Sequence, residues 1–121
     1  MTRIALVEDN ADNRLLVQAM IGDAYEIDEY EAGQEALDGM KASPPQLVLL
    51  DISLPGMDGT EVLAQMRQHP ALAQVPAIAL TAHAMAGDRE RFLEAGFDDY
   101  ITKPIIDDAA VKEAIEALLN R

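Results

Sequence analysis

The stretch LVLLDISLPGMDG, residues 47–59, decides the fold. Its four leading apolar residues, Leu47 to Leu50, are too few for an ordinary helix and suit a strand buried on both faces. They run directly into a carboxylate, Asp51, and then into a segment carrying Pro55, Gly56 and Gly59, residue types that interrupt regular structure. Asp58, with Glu61 three residues on, resembles a capping box and marks the start of a helix. A buried strand, an acidic residue at its carboxyl end, a loop and a helix start follow one another within this one segment.

Working outward, the pattern repeats. Ile4 to Val7, Ala77 to Leu80 and the shorter Tyr100-Ile101 are further apolar blocks, while Glu26 to Tyr30 alternates polar and apolar as a half-exposed edge strand would. Between them, helical spacing picks out Leu15, Leu16, Ala19 and Met20; then Ala36, Leu37 and Met40; Val62, Leu63 and Met66; Phe92 with Leu93; and Val111, Ala114, Ile115, Leu118 and Leu119. Gly22 and Gly96 stand where a left-handed residue closes a helix. Loops fall at Ser43-Pro44-Pro45, Leu54 to Gly59 and Pro70 to Pro76. Strand and helix alternating five times imply an α/β domain, a doubly wound five-stranded parallel sheet with helices on both faces. The 121 residues suit a single domain, 1–121, with no repeat or linker.

The chain is 50% hydrophobic, in short blocks spread from end to end, which places it among folded globular chains. Its net charge of −13, from 22 acidic against 9 basic residues, would repel nucleic-acid phosphates and anionic membrane surfaces, so neither is an expected partner. A metal ion or a cationic partner fits better. There is no cysteine, hence neither a disulfide framework nor a thiol metal site. No apolar run approaches the ~20 residues that span a bilayer, and the amino terminus has no signal-peptide layout. A soluble, cytoplasmic protein is expected.

In open α/β sheets ligands bind beyond the carboxyl ends of the strands. Glu8 and Asp9 follow the first apolar block, Asp51 the third strand, Thr81 the fourth and Lys103-Pro104 the fifth. Three carboxylates in one pocket repel unless a cation or protons offset them. An oxygen-only site suits Mg²⁺, which commonly uses one or two carboxylates, and Glu8 or Asp9 with Asp51 supplies that number. Lys103 adds a compact positive charge and Thr81 a hydroxyl donor, the groups that stabilise charge on phosphoryl oxygens. Asp51 is then a candidate nucleophile able to form an acyl-phosphate.

The strings ALVEDN, LVLLDISLPGMDG, ALTAHA and DYITKP together resemble response-regulator receiver domains of two-component signalling systems, chemotaxis-regulator-like and single-domain, over essentially the whole chain. The resemblance implies a flavodoxin-like sheet with strand order 2-1-3-4-5. It makes Asp51 the phosphoacceptor, Glu8 and Asp9 the acidic pair, the Ser53 backbone carbonyl a further Mg²⁺ ligand, and Thr81 and Lys103 the remaining members of the set. It also implies a cis peptide between Lys103 and Pro104. Thr81 and Tyr100 would act as the switch pair, reshaping a surface of the fourth helix, fifth strand and fifth helix, Met85 to Leu119, by biasing an existing equilibrium. His83 would tune water access at the pocket rim. The implied partners are a sensor histidine kinase or histidine phosphotransfer protein and a downstream protein target, the chain itself being a monomer or weak dimer. It would catalyse only its own phosphorylation and dephosphorylation, with no turnover of an external substrate.

Each residue alone has a plainer reading: Glu8-Asp9 as solvated surface, Asn10 or Asp12 as a helix cap, Asp51 as a turn residue, Thr81 as a strand-end hydroxyl, Lys103-Pro104 as an ordinary turn, Tyr100 as core. His69, before Pro70, reads as a solvated helix-end histidine. Their convergence at successive strand ends favours the site. A phosphohydrolase of the haloacid dehalogenase type would want a second aspartate at position 53, which is Ser. A pseudo-receiver would not need the full acidic, hydroxyl and lysine set. A nucleotide-binding domain would need a glycine-rich loop where ALVEDNAD is acidic. Output is expected through protein contacts, whether from a stand-alone regulator, a phosphorelay shuttle or a domain of a hybrid kinase, whose receivers the stretch TAHAMAGDRERFLEAG also resembles.

Overall fold

The computed structural model describes residues 2–82, 87–103 and 108–120. Strands and helices alternate: β1 (Arg3–Val7), α1 (Ala11–Ile21), β2 (Glu26–Tyr30), α2 (Gly33–Ala42), β3 (Leu47–Asp51), α3 (Gly59–Gln68), β4 (Ala77–Thr81), α4 (Asp88–Ala95), β5 (Asp99–Thr102) and α5 (Asp108–Leu119). All neighbouring strands pair in parallel, in the order β2-β1-β3-β4-β5.

The apolar blocks are continuous because each strand feeds two cores. Ala5, Val7, Val48, Leu50, Ala77 and Ala79 point to one face, against Ala36, Leu37 and Met40 of α2, Val62, Leu63 and Met66 of α3, and Phe92 of α4. Ile4, Leu6, Leu47, Leu49, Ile78 and Leu80 point to the other, against Val17 and Ile21 of α1 and Val111 and Ile115 of α5. The period of two along each strand is thus intact but hidden, since both faces are apolar. β2 at the edge is half-buried rather than alternating: Ile27 packs toward the α1/α5 core and Tyr30 toward the opposite one.

Three expectations change. In α1 the buried residues are Val17 and Ile21, whereas Leu15 is 70% exposed and Ala19 is also exposed. Every residue from Leu15 to Ile21 except Gln18 is apolar, so spacing alone does not select a stripe. Arg14, paired with Glu29 at 3.2 Å and Glu31 at 3.3 Å, and Gln18, donating to Glu29 at 2.9 Å, set the helix rotation by tying its polar side to β2. Gly22 closes α1 in a right-handed conformation, φ −65°, because the chain continues into a turn in which the amides of Ala24 and Tyr25 both donate to the Ile21 carbonyl. Gly96 does adopt the left-handed conformation, φ 108°. His69 is only partly solvated: it is half-buried at the end of α3, its Nδ1 buried with no partner among the described residues, where the chain turns back through a Leu72 amide to His69 carbonyl bond.

Candidate functional site

The carboxyl ends of β1, β3, β4 and β5 lie side by side, and their next residues meet. Glu8 continues the line of β1, its amide donating to the Tyr30 carbonyl at 3.0 Å, and its side chain is fully buried (0% exposed). Asp9 beside it is exposed. Asn10 then caps α1, accepting from the Asn13 amide at 3.1 Å. Asp51, 2% exposed, ends β3; Thr81, 4% exposed, ends β4 in register with Thr102. Lys103 follows β5, and its amide donates to the Thr81 carbonyl at 2.7 Å.

Gly59 allows the close approach that shapes this end of the molecule. Its amide donates to the Ile52 carbonyl at 3.0 Å, and a Cβ there would collide with the Asp51 carbonyl. Asp58 caps the helix, accepting from the Glu61 amide at 2.9 Å and from the Thr60 hydroxyl. The start of α3 is therefore fixed against the last residue of β3.

Asp51 is held at both oxygens. Oδ1 accepts from the Ser53 amide at 2.9 Å, and Oδ2 from Lys103 Nζ at 2.8 Å. The same ammonium sits 2.7 Å from Glu8 Oε1. Glu8 Oε2 is buried and has no donor among the described residues. One carboxylate oxygen from each of Glu8, Asp9 and Asp51 lies within 4.8 Å of the others, a group with the donor chemistry of a hard divalent cation site.

The electrostatics follow from this crowding. Burial, and then the neighbouring Asp51 carboxylate, push Glu8 up to about 7 against the pull of Lys103. Burial would also raise Asp51, but its bonds with Glu8, Lys103 and the Ser53 amide outweigh that and hold it below its ordinary value. Burial alone would lower Lys103, yet its two carboxylate partners hold it above its usual range. The two carboxylates are thus shifted in opposite directions, Glu8 toward holding a proton and Asp51 toward staying ionised, the asymmetry expected of two carboxylates sharing one lysine.

Glu8, Asp9, Asp51, Thr81 and Lys103 are therefore gathered at one end of the sheet. Tyr100, half-buried, pairs with Ala79 and packs on the same core, its ring 5.9 Å from that of Phe92. By register it shares a sheet face with Thr81, one pleat away. For Ser53, the visible role is its amide on Asp51. His83, the Lys103-Pro104 peptide and parts of the Met85 to Leu119 surface lie outside the described residues. Two residues that motif reasoning missed also belong here. Asn13 Nδ2 donates to Glu8 Oε1 at 2.9 Å, and Arg14 Nη1 to the Glu8 carbonyl at 2.8 Å. The available signal was Asn10: once it caps α1, the next helical turn must face the end of β1.

A doubly wound parallel sheet with an acidic, lysine-bearing cleft at its carboxyl edge defines a class, and comparison with known proteins narrows it. The chain matches the response regulator receiver domain family over residues 4–116. It is 41% identical over 103 residues to the polar-differentiation response regulator DivK of Brucella ovis, covering 84% of each chain. It is 39% identical over 107 residues to the sensor histidine kinase GacS of Pseudomonas protegens, covering 85% of this chain but only 12% of that kinase. The receiver domain of the sensor histidine kinase PA1611 of Pseudomonas aeruginosa, solved with a magnesium ion coordinated in its active-site cleft, superposes with a TM-score of 0.90. Its identity is 32%, over 99% of this chain and 98% of that one. The chain belongs to the response regulator receiver domain family of two-component signalling systems. Among the described residues, no helix is long and apolar enough to cross a membrane.

Proposed function

We propose that the protein accepts a phosphoryl group on Asp51 from a phosphohistidine donor, in a Mg²⁺-dependent step. The observation that carries this reading is the division of labour at the buried carboxylates. Asp51 is bound by the Ser53 amide and Lys103, while Glu8 has a buried oxygen with no donor among the described residues and brings an oxygen within 4.8 Å of one from Asp9 and one from Asp51. Glu8, Asp9, Asp51 and the Ser53 backbone carbonyl would hold Mg²⁺, which supplies charge neutralisation for the incoming phosphoryl oxygens.

In the transfer an Asp51 oxygen attacks phosphorus, the phosphorus–nitrogen bond to the donor imidazole breaks, and its electron pair returns to the ring. Lys103 would neutralise charge on the phosphoryl oxygens and Thr81 would donate its hydroxyl to one of them. Tyr100, one pleat from Thr81, would follow that movement and alter the surface of α4, β5 and α5. The donor would be a sensor histidine kinase or histidine phosphotransfer protein, and the altered surface would be read by a downstream protein. Both sensor kinases and stand-alone regulators are among the relatives. The chain would act in the cytoplasm as one domain, turning over no external substrate.

The test is intact mass after incubation with a small-molecule phosphodonor, with and without Mg²⁺, on the wild type and on Asp51→Asn. A gain of one phosphoryl group that needs Mg²⁺ and disappears in the variant is the expected result. No gain under any condition would instead identify a pseudo-receiver.

A further inference from the structure

Asn13 lies outside the acidic cluster, in the first turn of α1, yet its side chain reaches in. Glu8 Oε1 accepts from two donors, Lys103 Nζ at 2.7 Å and Asn13 Nδ2 at 2.9 Å, and Oε2 from none among the described residues. The two donors differ in what else they do. Lys103 also binds Asp51 at 2.8 Å, so phosphoryl chemistry at Asp51 competes for its charge. Asn13 has no such second role: its backbone amide is bound by the Asn10 cap, and the adjacent Arg14 holds the Glu8 carbonyl at 2.8 Å. One helical turn therefore grips Glu8 at both main chain and side chain. A carboxylate with one oxygen fixed from a rigid element has the direction of its other oxygen fixed too.

We infer that Asn13 is a positioning residue for the divalent cation. Its amide fixes Oε1 of Glu8 so that Oε2 faces the space shared with Asp9 and Asp51. The inference rests on the Mg²⁺ reading proposed above. Groups that orient a metal-binding carboxylate through its second atom commonly set affinity without touching the ion.

The experiment is a calorimetric Mg²⁺ titration of the unphosphorylated protein, comparing wild type with Asn13→Leu, which keeps the shape but removes the donor, and Asn13→Ala, which removes any clash. The expected result in both variants is a Kd for Mg²⁺ weakened about tenfold. The Mg²⁺ concentration for half-maximal phosphorylation should rise in parallel, while the rate at saturating Mg²⁺ stays within about twofold of wild type. A merely structural asparagine would lower the unfolding midpoint and leave Kd alone. Kd values within about twofold of wild type in both variants would overturn the inference while leaving the Mg²⁺ reading intact. A wild type that binds no Mg²⁺ would remove both.

Discussion

At Glu8, a proton and a cation compete for one buried carboxylate. Burial and the Asp51 carboxylate raise its proton affinity, to about 7, and Lys103 only partly offsets them. The folded value lies above the unfolded one, 4.5, so the folded chain binds this proton more tightly. In the cation-free protein Glu8's contribution to stability is complete at acid pH and is lost as pH rises through about 7. Asp51 has the opposite sign: its value is depressed, so its contribution is present above the ordinary carboxylate range and is lost on acidification. Mg²⁺ requires Glu8 without its proton. Mg²⁺ affinity should therefore rise roughly tenfold between pH 6 and pH 8, measured by titration calorimetry, and Glu8→Gln should flatten that rise. Equal wild-type affinities at the two pH values would show that no proton on Glu8 competes with the cation in this range. Glu8, Asp9, Asp51, Thr81 and Lys103 were all legible in the sequence, because each stands within two residues of the end of an apolar strand block and strand ends in such a sheet converge. Asn13 was not, since its partner is decided only once Asn10 rather than Asp12 caps α1.

The elements around the cleft are joined at the opposite pole by a single side chain. Arg67, in the last turn of α3, donates through Nη1 to the carbonyls of Leu72, Ala73 and Val75 and through Nη2 to that of Gly96, and lies 3.8 Å from Asp98. It thus ties α3, the segment leading into β4 and the turn between α4 and β5 into one unit, with Asp98 in turn accepting from the Ala77 amide at 2.9 Å. Arg67→Met would keep much of the aliphatic stem but strand these half-buried carbonyls. The expected cost is about 2 kcal/mol in urea unfolding, with the denaturant slope unchanged. A loss of only a few tenths would mean that water replaces the guanidinium freely. This staple was invisible in the sequence, where Arg67 is one more polar residue on an exposed helix face. The strands themselves were legible, because runs such as Leu47 to Leu50 exclude a solvent-facing side. The rotation of α1 was not, because an almost wholly apolar run from Leu15 to Ile21 offers several stripes, and the choice is made by pairing Arg14 and Gln18 with Glu29 and Glu31, residues of a later part of the chain.

On the scale of the whole molecule, the charge of −13 and the acidic cleft act on the same equilibrium. Self-repulsion among the acidic residues opposes the compact state, and it is strongest where Glu8, Asp9 and Asp51 converge against one lysine. General screening by salt relieves the first part, whereas a divalent cation seated in the cleft relieves the second and is released on unfolding. Binding to the folded state alone stabilises by mass action, so Mg²⁺ at ten times its Kd should add about 1.4 kcal/mol. For a chain of this size that corresponds to a rise of roughly 5 °C in Tm. The control is sodium chloride at matched ionic strength, which screens the surface but cannot fill the cleft. The increment specific to Mg²⁺ should grow logarithmically with its concentration and vanish in Glu8→Gln, where the cleft loses a charged ligand. If sodium and magnesium raise Tm equally at matched ionic strength, the stabilisation is surface screening, and the acidic cluster holds no cation. If only magnesium acts, and only with Glu8 present, the same cleft that would accept a phosphoryl group also governs how firmly the two cores stay packed around the sheet.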